Sequence, residues 1–564
     1  MVARAWWRAG WRLLASACCS ATAAAPVAAL AATPAAPALP PSPGLLRSLA
    51  AFERDLLELD GVLRPEQLTT EVAFSLSDPA LQPPAPEAAP LTAAAAEQSQ
   101  ERLLSLPQAL QVAVANNPDL AERRARIAEM RGLKRSVQGR FWPQIGLSLG
   151  GSFAQRSEYN LVLQDNAGLY PAKSPFLVEE NGWNRIQANR GSSWGSLELD
   201  WELISFERGA ALAEQDQRLT ASLRHYGDAL RQLQLEVSEA YYGLQLAEQL
   251  LRIRQAVVRN DALVRDQVAA LKASGLVPRL DLLRAEAALQ QSRFRQEQAE
   301  ALRQSRRQAL TNLLNVAFTT LLRARSEAVL QPPWPLPLNA TLVAGLRDNP
   351  ALEKLAADRQ ALLRQADRRQ AQLLPSLELF AAGGGGTDLL TKPVIDLKGC
   401  CSASNTRQLS SQSADWVAGL RLHWRLFDAG VSGGAAAASR AAAEAVLQRL
   451  ARERNQIRQE LETAFYDYRA SLSQLAAAEA SYQASREAFR DARARYQLGL
   501  ADYTDVSETI SLLTRSMEGI AESTTLANVS YARMLRQLQP VPEQPELEPT
   551  LSLTLPADPE SAQP

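Results

Sequence analysis

Histidine is nearly absent from this chain. Only His225 and His423 occur in 564 residues, so imidazole-based catalysis and His-rich metal centres have little material. Cysteine is as sparse: the four residues form two adjacent pairs, Cys18-Cys19 and Cys400-Cys401, a spacing unlike any zinc site. Neither sign of charge dominates, because 60 Lys and Arg face 61 Asp and Glu. A nucleic-acid partner is therefore not expected, since phosphate binding calls for a basic excess or stripe. Long apolar runs are missing too. After the N-terminus no stretch of about 20 uncharged apolar residues exists, which excludes a membrane-spanning helix; even Ala435 to Leu447 is broken by Arg440 and Glu444. With no nucleophile elbow, paired-acid site or ligand cluster, no catalytic, cofactor-binding or metal residue is assigned.

The N-terminus reads as an export signal over residues 1–31. Arg4, Arg8 and Arg12 precede a weakly apolar run, and Ala29-Leu30-Ala31 is a cleavage site of small residues. A rival reading takes Ala15-Ser16-Ala17-Cys18 as a lipoprotein site. Residues 32–100 are rich in Ala and Pro and read as a flexible extension with a short helix around Leu45 to Leu63. Residues 541–564 read as a disordered tail.

What the chain does contain is a repeat. Gly275-Leu276-Val277 with Asp281 is echoed by Gly499-Leu500-Ala501 with Asp505, 224 residues later, and Ala240-Tyr241-Tyr242 returns as Ala464-Phe465-Tyr466 at the same offset. Asn117-Pro118 returns as Asn349-Pro350 and Pro143 as Pro375, both at 232. The change in offset falls between Pro143 and Trp201, which places a loop insertion there. This internal duplication divides the chain into a first repeat over 101–330 and a second over 331–540.

Each repeat changes period from 3.6 to 2 and back. Ile145, Leu147, Leu149 and Phe153 alternate with small or polar residues; Leu197, Leu199, Trp201 and Leu203 alternate with Glu198, Asp200 and Glu202; Leu377 and Leu379 flank Glu378; Leu420, Leu422, Trp424 and Leu426 flank Arg421, His423 and Arg425. Phe380 breaks the third alternation. Taken singly, such strands fit a soluble sandwich. Four strands in two distant hairpins of a mostly helical, exported chain fit a membrane barrel better, with apolar faces to lipid, charged faces to a lumen, and Trp194, Trp201, Trp416 and Trp424 at the interfaces. The polar stretches from about Gln155 to Ser193 and Thr387 to Ser413 are then outward loops. Open sheet edges are not tolerated in hydrocarbon and the smallest membrane barrels use about eight strands, so four strands must be completed by sister chains. A trimer gives a 12-stranded β-barrel with four strands per chain; strand arithmetic also admits a dimer of eight.

No proline interrupts Arg208 to Leu271, and the spacing Leu230, Leu233, Val237, Ala240, Leu244, Ala247, Leu251 is a coiled-coil seam; the second copy runs from about Gly433 to Leu498. Each long helix ends at the repeated turn, with Gly275 or Gly499 at the C-cap and a returning helix near Asp281 or Asp505. Pro278 suits the first turn of one returning helix and Asp502 the cap of the other. Asp505 and Glu508 are three apart on one helical face. Around a symmetry axis they would form acidic rings that attract cations; alone they serve the helix dipole.

The chain resembles TolC-type outer-membrane efflux or export channels, the outer membrane factors. The resemblance rests on Leu106, Ala109-Leu110 and Asn116-Asn117-Pro118; Trp424-Arg425-Leu426-Phe427-Asp428-Ala429-Gly430; Gly275-Leu276-Val277 with Asp281; and Tyr496-Gln497-Leu498-Gly499 with Asp505-Val506, and covers Leu104 to Gln539. It implies an α+β membrane protein: a homotrimer whose 12-stranded barrel lies in outer-membrane lipid and continues as a long antiparallel α-helical coiled-coil tunnel through the periplasm. It implies as partners a periplasmic adaptor (membrane fusion protein) and an inner-membrane pump of RND or ABC type. By position, Asp505 and Glu508 match the acidic constriction of the entrance, and Asp281 and Tyr496 match positions that hold the closed state. One departure is Ala501, which stands where the best-known member carries an arginine; either Arg495 or Arg279 substitutes for it, or the closed state is looser. The lumen of the barrel is expected to carry Glu198, Asp200, Glu202, Arg421, His423 and Arg425.

The expected function is a passive outer-membrane exit duct for efflux or type I secretion. The alternatives are a periplasmic coiled-coil scaffold or adaptor, which needs a compact β domain and lipoyl-like half motifs that are not seen, and a secreted hydrolase. The transported substrate is not legible.

Overall fold

A computed structural model describes residues 74–83, 100–162, 182–317, 319–397, 401–404 and 408–540, with single positions 542, 546, 551 and 553. All belong to the unit Glu58–Pro564. The expected signal peptide, the Cys18-Cys19 pair, the helix around 45–63 and Cys400 lie outside the described residues.

Two short strands, β1 (Gln100–Leu104) and β4 (Thr320–Ala324), pair in parallel across more than two hundred residues of sequence. Between them run helices α1 (Leu106–Asn116) and α2 (Pro118–Gly139), strands β2 (Gln144–Val162) and β3 (Gly182–Ser205), and helices α3 (Phe206–Ala273) and α4 (Arg279–Leu313). The same order then recurs as α5 (Leu338–Arg347), α6 (Pro350–Ala371), strands β5 (Ser376–Leu397), β6 (Cys401–Ser404) and β7 (Gln408–His423), and helices α7 (Val431–Gln497) and α8 (Tyr503–Leu538). The two Asn-Pro signals act alike. Proline fits the first helical position, where no N–H is needed. Asn117 Oδ1 caps α2 by accepting from Leu120 N at 3.0 Å, and Asn349 Oδ1 caps α6 by accepting from Ala351 N at 2.9 Å.

The 68 residues of α3 make a rod about 100 Å long at 1.5 Å per residue. It is buried on several sides at once, which explains why its apolar residues are not confined to one stripe. One core gathers Leu110, Ile127, Tyr226, Leu230, Tyr241, Leu244 and Leu322; a second gathers Leu461, Phe465, Tyr531 and Met534. Tyr241 Oη donates to Leu104 O at 2.9 Å, tying α3 to the β1–β4 ladder. Truncating Leu230 or Leu244 to Ala would cost about 2–5 kcal/mol.

A few described residues within the two segments read as flexible are docked on the body. Within 32–100, residues 74–83 dock onto the body: Asp78 pairs with Arg102 at 2.7 Å, Thr320 Oγ1 donates to Ala80 O at 2.8 Å, and Leu81 is buried. Within 541–564, Glu546 is buried against Arg131, and Leu551 and Leu553 pack on the first core. Leu81, Leu551 and Leu553 are the apolar anchors of these described residues.

The sheet is antiparallel in the order β2-β3-β5-β7, with β6 extending the β7 side of β5. Among the described residues β2 and β7 each pair on one side only. The strands are longer than expected, at 19, 24, 22 and 16 residues, and run into stretches read as loops. No described helix is long and apolar enough to cross a membrane.

Candidate functional site

Register sorts the sheet into two faces. Glu202 pairs with Glu378 and Glu378 with Arg421; Asp200 pairs with Phe380, Glu198 with Ala382, and Ser376 with His423. Glu198, Asp200, Glu202, Arg421 and His423 therefore share one face. Arg421 donates to Glu378 at 3.1 Å and its guanidinium lies 4.8 Å from the Phe380 ring centre. Phe380, the residue that breaks the alternation, is thus accommodated among charges by a cation–π contact and by the bare backbone of Gly419 opposite. Glu202 stands 3.7 Å from Arg140 and 3.9 Å from the buried Arg208, whose guanidinium also donates to Arg140 O at 2.9 Å. That cluster fastens the sheet to the helices.

The other face is apolar and exposed: Ile145, Leu147, Leu149, Leu197, Leu420 and Leu422 all lie open, with Phe153 at 75% and Trp416 at 83%. Three expectations need correction. A bulge between Glu202 and Ile204 makes Ile204, not Leu203, the next residue of the apolar face. β7 ends at His423, so Trp424, Arg425 and Leu426 lie beyond the strand, and Arg425 is not part of the charged face. Trp194 pairs with Gly150 and Gly386, which places it on the charged face among Ser192, Ser196 and Glu198. A side chain at Gly150 would strike its indole at 2.6 Å, so glycine there is what lets the ring lie flat.

At the far end, the two helical tips are superimposable in their hydrogen bonds. Gly275 N donates to Lys272 O and Leu276 N to Leu271 O, each at 3.0 Å; Gly499 N donates to Tyr496 O at 3.0 Å and Leu500 N to Arg495 O at 2.9 Å. Both glycines take positive φ, +77° and +72°, as the left-handed residue after a helix end requires. They sit one place beyond the cap positions Ser274 and Leu498. Pro278 and Asp502 are the N-caps of α4 and α8, and neither side chain makes a capping bond.

The structure brings Asp281 and Tyr496 together and both are buried. Burial first, then the carboxylates of Asp281 and Asp502, push the Tyr496 hydroxyl up to about 12. Its ring meets Tyr503 edge-on at 6.3 Å, and its hydroxyl is buried without a hydrogen-bond partner among the described residues. Asp505 and Glu508 stand exposed in the first two turns of α8. Arg495 pairs with Asp491 at 3.0 Å, both exposed, rather than with Asp281. The basic residue near Asp281 is Arg284, at 3.9 Å and also 3.4 Å from Thr504 Oγ1. Sequence reasoning missed it, although its position one helical turn after Asp281 was a usable signal. Among the described residues no group of three or more His, Cys, Asp and Glu side chains is placed to hold a metal.

A family model described as "Outer membrane efflux protein" matches residues 109–316 and 343–536. Protein CyaE of Bordetella pertussis is 28% identical over 288 residues, 49% of this chain and 53% of that protein, so the chain spans about half the length of this curated relative. Among solved structures, the outer-membrane channel OprN aligns with a TM-score of 0.57 at 20% identity, covering 77% of this chain and 89% of that one. CusC aligns with a TM-score of 0.58 at 17% identity, over 77% and 92%. The outer-membrane protein VceC of Vibrio cholerae aligns with a TM-score of 0.56 at 16% identity, over 77% and 95%.

Proposed function

Because the chain belongs to the outer membrane efflux protein family, a family of transport ducts rather than enzymes, we propose that it is the outer-membrane exit duct of a tripartite efflux or type I secretion system. It conducts cargo passively from an inner-membrane pump through periplasm and outer membrane. The observation that supports this reading is the sheet: one face of exposed Leu, Ile, Phe and Trp, the other of charge, with two edge strands that, among the described residues, pair on one side only. In hydrocarbon such edges must be closed. Three chains of four ladder strands close a twelve-stranded barrel, β2 of one subunit meeting β7 of the next. In that assembly the apolar face meets lipid, and Glu198, Asp200, Glu202, Arg421 and His423 line the lumen.

Helices α3, α4, α7 and α8 continue the barrel as a tunnel, and the repeated element order reflects an internal duplication. The tips form the entrance. Asp281 and Tyr496, with Arg284 in place of the arginine that Ala501 lacks, hold it closed; Asp505 and Glu508 form the acidic constriction. A periplasmic adaptor and an RND or ABC pump supply the opening and the energy. Mass measurement of detergent-purified protein tests the reading: a trimer that conducts ions in planar bilayers is expected, whereas a monomer soluble in plain buffer would overturn it in favour of a periplasmic scaffold.

A further inference from the structure

The strands are too long for the membrane they are read to cross. A tilted transmembrane strand needs about 9–11 residues, and the exposed apolar face uses about that many. On β2 it runs from Ile145 to Phe153, and on β7 from Leu422 to Ala414. At about 2.5 Å of height per tilted residue this band is roughly 20–25 Å tall, the usual apolar height of an outer-membrane barrel. The ladders do not stop there. β2 and β3 stay paired to Val162 and Gly182, and β5 stays paired with β3 to Asp396 and with β6 to Leu397.

Above the band the apolar face changes character, while the other stays charged. The formerly apolar face carries Gln155, Ser157, Ser193, Thr387, Gln412 and Ser410, with Leu389 among them, whereas the opposite face carries the Arg190–Asp388 ion pair at 2.8 Å. Hydrocarbon does not accept a row of amides and hydroxyls, and a loop collapsed into the lumen would not keep a continuous ladder. We propose that the sheet continues past the hydrocarbon as a β-turret, wetted on both faces, which carries the exit of the duct roughly 20 Å beyond the lipid along the residues that β2 adds from Ala154 to Val162. Among the described residues its outer face is mostly amide and hydroxyl, with Leu389 the apolar exception, which suits the hydrated saccharide layer of a cell surface.

This inference rests on the barrel reading above, and the test separates the two. In a background of Cys400→Ser with Cys401→Ser, single cysteines replace Leu149 and Leu420 in the band, and Ser157 and Ser410 in the turret. Each is labelled with a polarity-sensitive fluorophore and the protein is reconstituted in vesicles of acyl-brominated phosphatidylcholine. Strong quenching at 149 and 420, none at 157 and 410, and labelling of 157 and 410 on intact cells by a charged maleimide are expected. Quenching at 157 or 410, or failure of both to label on cells, overturns the turret while leaving the barrel in place. Loss of quenching at 149 and 420 overturns the barrel itself.

Discussion

Arg284 of α4 reaches Thr504 of α8, its Nη1 3.4 Å from the hydroxyl, so the tips of the two hairpins are joined by a side chain. The same guanidinium faces Asp281 at 3.9 Å. With Ala501 unable to make any such link, Arg284→Ala should loosen the tip. Exposed pairs of this kind contribute about 0.2–1 kcal/mol, which corresponds to at most roughly a fivefold gain in open probability per subunit. Single-channel recording checks this, and an unchanged closed fraction would assign the lock elsewhere.

Asp505→Asn together with Glu508→Gln should remove most of the cation preference of the entrance, because carboxylates converging on an axis attract cations. Reversal potentials across a KCl gradient read the outcome directly. If selectivity stays unchanged, these two side chains only complement the dipole of α8.

The two tip glycines sit in open space, with no atom within 4 Å of a built Cβ. Any penalty for a side chain there is therefore one of backbone conformation, about 1–2 kcal/mol. Gly275→Ala and Gly499→Ala should each lower the melting temperature modestly and by similar amounts, measurable by calorimetry in detergent.

Arg254 of α3 pairs with Glu518 of α8 at 2.5 Å, both largely buried. Burial raises the Glu518 carboxyl and lowers the Arg254 guanidinium, each opposed by the partner's charge. Glu518→Ala should cost about 2–4 kcal/mol by stranding the arginine, while Arg254→Met with Glu518→Leu should cost little. Thermal unfolding of the single and double variants separates the two; equal losses would contradict the desolvation argument.

Burial pushes the hydroxyls of Tyr241 and Tyr242 up to about 12. The folded state thus holds protons that the unfolded chain releases near pH 10, and this stability is present below pH 10 and lost as pH rises toward 12. Melting temperature should fall across that window, and Tyr241→Phe should flatten the fall by the share of one tyrosine, about 2–3 kcal/mol.

Much of the architecture was legible because periodicity and punctuation agree. Helix α3 begins at Phe206 and ends at Ala273 against an expected Arg208 to Leu271, and the Asn-Pro and Gly-Leu signals landed on caps and tips. The β1–β4 ladder was missed because its five-residue strands find each other only across the whole first repeat. Trp194 and Phe380 were misjudged or unexplained for one reason. An aromatic on a charged face is allowed by the glycine across the ladder, Gly150 or Gly419, and that neighbour is fixed by register, which no single strand encodes. At the tip, the repeat and the family resemblance marked Asp281, Tyr496, Asp505 and Glu508, but the choice of Arg284 over Arg495 depends on which helix face meets the other hairpin.

The unbroken helix from Phe206 to Ala273 leaves no joint between the sheet and the tip. A lever without an elbow cannot fold aside to clear a passage. If the tip is the gated entrance proposed above, anything that pulls on its free end must swing or untwist the whole shaft about its mooring near Arg208, so a small angular change there becomes a displacement of many ångströms at the mouth.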